Sequence, residues 1–115
     1  MRLFFPLLVL TAACARSDER WIEALDDPDP FERALAAFAL CEQAPERAPL
    51  TLGVLLETVD RSELELGAHA ARHLELLARS IPDSLRARLA ANPLMTEARR
   101  RAIEDALRGA GRGRR

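Results

Sequence analysis

The chain has 115 residues, 49% hydrophobic and 30% charged, with four Phe, one Trp and no Tyr. That length limits it to one small domain with a modest core, and the abundance of Ala, Leu, Arg and Glu favours helices and argues against a β-sandwich. Net charge is −1, but it is segregated: residues 16–78 hold 6 Arg against 14 acids, and residues 79–115 hold 10 Arg against 4 acids. All 17 basic residues are Arg, which we read as coding bias in a GC-rich genome and not as selected chemistry.

Met1–Cys14 opens the chain with a charge at Arg2, an apolar run from Leu3 to Leu10, and the small residues Thr11-Ala12-Ala13 before Cys14. A positive start, an apolar core and a small-residue cleavage site are the parts of an export signal. The apolar stretch is about 13 residues, short of the roughly 20 that a membrane-spanning helix needs. Leu10-Thr11-Ala12-Ala13-Cys14 resembles the lipobox of bacterial lipoprotein signals, with Thr11 where that family prefers Leu. The resemblance implies cleavage of 1–13, diacylglycerol on the Cys14 thiol and an acyl chain such as palmitate on its new amino group. Ala15 stands where Asp marks inner-membrane retention in double-membraned bacteria, so the implied address is the outer membrane, facing the periplasm. The same residues hold a competing Ala13-Cys14-Ala15 site for ordinary signal peptidase, which would release a soluble chain beginning at Arg16.

Behind the leader, Ser17 is a candidate helix cap, and Trp21, Ile22 and Leu25 share one helical face that ends near Asp26-Asp27-Pro28. Asp29 caps a second helix with Pro30 in its first turn, carrying Phe31, Leu35, Phe38 and several alanines as far as Cys41. Pro45 and Pro49 enclose a linker. Leu50 to Val59 reads as an apolar helix, and Glu63 to Ser80 as the longest one, with Leu66, Ala70, Leu74, Leu77 and Ile81 in a stripe. Pro82 restarts the chain into a short helix ending at Asn92-Pro93. Thr96 caps a last helix that ends at Gly109, leaving 109–115 as a disordered Arg/Gly tail. Cys41 has no partner for an internal disulfide once Cys14 is lipidated or lost, and its apolar surroundings suit a small buried hydrophobe.

Ala36-Ala37-x-Ala39-Leu40 recurs 34 residues later as Ala70-Ala71-x-His73-Leu74, with a weaker echo at Ala106-Leu107. Each copy follows a turn: Asp27-Pro28-Asp29-Pro30, Asp60-Arg61-Ser62 and Asn92-Pro93. Together with Arg33, the first copy resembles the short HEAT-like repeat that begins with an Asp-Pro turn. The later copies depart from it at Gly67 and at Ile103-Glu104. The resemblance covers about residues 20–108 and implies, for a domain spanning 14–108, an all-α fold, a short α-solenoid of about two and a half helical hairpins. A generic small helical bundle is the alternative.

Chemistry is sparse. His69 and His73 lie four apart on one predicted helix with Glu65 another four before, a column able to face a metal ion but with no HExxH sequence and no cysteine pair. The glycines form no phosphate loop. Ser17, Ser62, Ser80 and Ser84 fit caps or turns, so no activated nucleophile is visible and neither an enzyme nor a cofactor is expected. Arg99, Arg100, Arg101 and Arg108 give a basic end. Export directs it away from nucleic acid and towards anionic lipid or glycolipid headgroups or an acidic envelope protein. The leading expectation is a membrane-anchored, non-enzymatic interaction module or scaffold. The alternative is a small periplasmic metal- or ligand-binding protein using His69 and His73.

Overall fold

The computed structural model describes residues 18–61 and 64–112. The leader 1–13, Cys14 and the last three residues of the tail lie outside them. All regular structure among the described residues is helical, as the composition indicates: α1 (18–24), α2 (Pro30–Gln43), a 3-10 segment (Pro45–Thr51), α3 (Leu52–Asp60), α4 (Leu64–Ser80), α5 (Pro82–Ala91) and α6 (Glu97–Arg112). No helix among the described residues is long and apolar enough to cross a membrane.

The start of α2 follows from its first residues. The Asp29 carboxylate accepts the Phe31 N–H at 3.0 Å, and Pro30, which has no N–H to leave unpaired, occupies the first turn. Asp27 in turn accepts the Asp29 N–H at 2.9 Å, which shapes the Asp-Pro turn. Arg33 ties this turn to the next helix. Its Nη1 donates to the Asp27 carbonyl at 2.5 Å, and its Nε donates to Glu57 of α3 at 2.8 Å. The expected linker around Pro45 and Pro49 is a 3-10 segment instead. The Thr51 hydroxyl, fully buried, donates to the Ala48 carbonyl at 2.6 Å and lies 3.4 Å from the half-buried Cys41 Sγ. This segment delays the start of α3 to Leu52 and leaves Leu50 exposed.

The core is built from small faces. Ala34, Ala36, Ala37 and Leu40 of α2 are buried, as are Ala70, Leu74, Leu77 and Ala78 of α4. The alanines let helices approach closely, while Leu40, Leu55, Leu74, Leu85 and Ile103 fill the gaps. Of the residues that recur at 34 positions, Ala36 and Ala70 are both fully buried, and so are Leu40 and Leu74, whereas Ala37 is buried and Ala71 only half-buried. Helix α4 packs against α2, α3, α5 and α6. Helix α3 touches α6 as well as α2 and α4. Counting α2–α3 and α4–α5 as successive hairpins and α6 as the half unit, the α3–α6 contact joins the first unit to the third, whereas a strict stack confines each repeat to its immediate neighbours.

The last helix differs from expectation. Gly109 does not end it; α6 continues to Arg112, and Ala106 and Ala110 are buried. A Cβ at Gly109 would lie 2.6 Å from the Glu75 side chain of α4, so a larger residue there would displace that flexible side chain. Burial of Ala110 offsets the helix penalty of about 1 kcal/mol that an interior glycine carries.

Because Arg33 joins the Asp-Pro turn to α3 through two charge-assisted bonds, Arg33→Ala is expected to lower unfolding free energy by about 1–3 kcal/mol. Arg33→Lys should recover only part of this, because an ammonium cannot reproduce the guanidinium fork. Urea unfolding checks both, with a lower midpoint at unchanged slope.

Candidate metal centre and the basic helix

Residues four apart on a helix stand one above the other on the same face. On α2 this aligns Phe38 with Glu42, and on α4 it aligns His69 with His73. Where α2 meets α4 the four side chains converge. The Nε2 atoms of His69 and His73 each lie 3.7 Å from Glu42 Oε1. The ligand atoms of Glu42, His69 and His73 are all within 4.8 Å of one another. Phe38 supports both imidazoles: it stacks on His73 at 5.4 Å between ring centroids and meets His69 edge-on at 4.6 Å. The two imidazoles meet edge-on at 5.0 Å.

The two histidines differ in environment. His69 is half exposed, whereas His73 is buried with 6% of its surface accessible. Burial pushes the His73 pKa below its ordinary value, His69 and Arg72 push it the same way, and the Glu42 carboxylate opposes them. Its Nδ1 is wholly buried and has no hydrogen-bond partner among the described residues. On the far side of His73 a half-open groove of about 680 Å³ is lined by Cys41, Pro45, Ala48, Leu76 and Leu77 among others. Cys41 is half-buried beside that groove, and burial raises its thiol pKa, which keeps it protonated and unreactive.

Of the sequence column Glu65–His69–His73, the structure brings only the two histidines together. Both histidines share a site, but the acid comes from α2 and not from Glu65. A signal for Glu42 did exist. The 34-residue repeat maps His69 and His73 onto Leu35 and Ala39 of the neighbouring α2, and Glu42 lies one turn beyond Ala39.

The four arginines of the basic end are not brought together. Arg99 turns inward between α6 and α3, its Nε 2.5 Å from Asp60 Oδ2 in an ion pair whose N–H is not aimed at the oxygen. Thr96 caps α6 by accepting the Arg99 N–H at 3.1 Å and donates to the same Asp60 at 2.5 Å. Arg99 therefore clamps α3 to α6 and is withdrawn from partner contact. Arg100 pairs with Glu97, Arg101 lies 3.9 Å from Glu97, and Arg108 bonds Asp105 at 2.6 Å. Arg101 and Arg108, two turns apart, share a face opposite that of Arg99. Each already has an acid on its own helix.

Compared with protein-family models, curated proteins and solved structures, the chain matches none.

His73 should make stability depend on pH. Unfolded, it titrates near its ordinary value of 6.5; folded, it titrates lower. Between those values the unfolded chain binds more protons, so stability falls as pH drops below about 6.5. In the presence of a chelator, melting temperature is expected to fall more steeply between pH 7 and pH 5 for the native chain than for His73→Leu. Parallel curves would refute this assignment.

Proposed function

We propose that this chain is an exported lipoprotein whose helical domain acts at the cell envelope as a non-enzymatic interaction module. The observation that carries the reading is Met1–Cys14: a basic start, an apolar run too short to span, small residues, then a cysteine. Diacylglycerol on Cys14 and a further acyl chain on its amino group would supply the several chains that stable anchoring requires. Few residues separate Cys14 from the α1 segment at 18–24, and an extended chain spans at most about 3.6 Å per residue. The domain would therefore lie against the bilayer surface, in this reading the outer membrane on its periplasmic side.

The surface supports a binding role for a protein partner. Phe31 and Leu35, one helical turn apart on α2, are 49% and 39% exposed. Phe31 borders a half-open pocket of about 240 Å³ shared with Pro30, Ala34, Thr58, Arg61 and Leu66. Scattered exposed apolar residues are ordinary on a protein surface, but an adjacent pair beside a concave site fits a docking anchor. The HEAT-like hairpins are the scaffold in this proposal. Arg101 and Arg108 add a bias towards acidic partners or anionic lipid and glycolipid headgroups, weakened by their own counter-charges.

Mass spectrometry of the mature amino terminus tests the anchor. The expected product begins at Cys14 with diacylglycerol and acyl additions, and Cys14→Ala shifts the protein from the membrane to the soluble fraction. A mature chain beginning at Arg16 would overturn the proposal.

A further inference from the structure

We infer that Glu42, His69 and His73 form a binding site for a divalent transition-metal ion of the zinc class, bridging α2 to α4. Three observations point to it. First, the donor set is two imidazoles and one carboxylate, a combination that suits zinc-class ions. Calcium and magnesium take oxygen ligands instead. Second, the geometry is nearly assembled. Zinc bonds of about 2.0–2.2 Å place tetrahedral ligand atoms roughly 3.4 Å apart. Glu42 Oε1 stands 3.7 Å from both Nε2 atoms, and all three ligand atoms lie within 4.8 Å of one another, so closure asks for shifts on the order of an ångström from the exposed Glu42 and His69 side chains.

Third, His73 is otherwise unexplained. It is more than nine-tenths buried, its Nδ1 lacks a partner, and its Nε2 points to the shared carboxylate at a distance too long for a hydrogen bond. An ion on the Nε2 side would satisfy that nitrogen, which stands 3.7 Å from Glu42 Oε1; it would not reach the buried Nδ1. Phe38 packs on both imidazoles and holds them in place, the apolar surround that metal sites commonly use to fix their ligands. His69 and Glu42 face solvent, which leaves a route of entry and an open coordination position for water or for a ligand from a partner. The bridge would join helices of the first and second hairpins. The site is independent of the lipid anchor.

Zinc titration by calorimetry tests the site, using processed full-length protein extracted in mild detergent and stripped with a chelator. One equivalent per chain is expected to bind saturably and to raise the melting temperature. Glu42→Gln and His69→Ala alter exposed side chains and should leave the helical circular-dichroism spectrum unchanged. Each is expected to weaken the Zn²⁺ Kd about tenfold or more, since even groups behind the ligands commonly contribute that much. Cys41→Ser should bind like the native chain. Absence of saturable binding would overturn the inference. So would binding that survives both Glu42→Gln and His69→Ala, or that is lost with Cys41→Ser alone.

Discussion

The architecture depends on how closely α4 can approach its neighbours. Ala70, Leu74 and Ala78 have no accessible surface, and α4 meets four other helices. A helix surrounded on so many sides must offer small residues where backbones come near and large ones where they diverge. The same demand appears in α2, where Ala36 and Ala37 are fully buried, and in α6, where Gly109 and Ala110 lie against α4. With four Phe and one Trp in the whole chain, core volume comes from leucine, and close interhelical packing has to compensate for scarce aromatic area.

Polar ties at the helix ends set the directions that this packing requires. Arg33 spans the turn before α2 and the middle of α3, while Asp60 gathers Thr96 and Arg99 at the junction of α3 and α6. The Arg33–Glu57 and Arg99–Asp60 pairs are partly shielded from water, where charged contacts are worth more than at an open surface, while the Thr96–Asp60 bond is exposed. They also explain why the charge asymmetry of the sequence does not become one basic face. Asp60 belongs to the acid-rich part of the chain and Arg99 to the Arg-rich part, and folding brings them together.

The helical class, the Asp29 cap, the α4 stripe and the Thr96 cap were all legible in the sequence, because each rests on local rules: spacing, turn chemistry and first-turn preference. The 34-residue recurrence was legible too, and burial is alike at Ala36 and Ala70 and at Leu40 and Leu74, though not at Ala37 and Ala71. What was not legible needed a neighbour. The extension of α6 past Gly109 buries Ala110 in the core, whereas glycine alone reads as a stop. The inward turn of Arg99 depends on Asp60, 39 residues earlier. Glu42 joins the histidines only because α2 lies beside α4. A column along one helix favoured Glu65, since sequence spacing sees a single helix and a site between two helices requires their register.

That register links packing to chemistry. The small faces bring α2 and α4 close enough for Phe38 to reach both imidazoles and for Glu42 to reach both Nε2 atoms. Ala37 and Ala70 have no accessible surface, so a larger residue at either would have to push neighbouring helices apart. The arrangement also divides the labour between the two histidines. His73 is fixed by burial and by stacking on Phe38, whereas His69 and Glu42 retain exposure and can move. A rigid buried donor with two mobile exposed ones can admit an ion from solvent and close around it without repacking the core, because only the exposed side chains have to adjust.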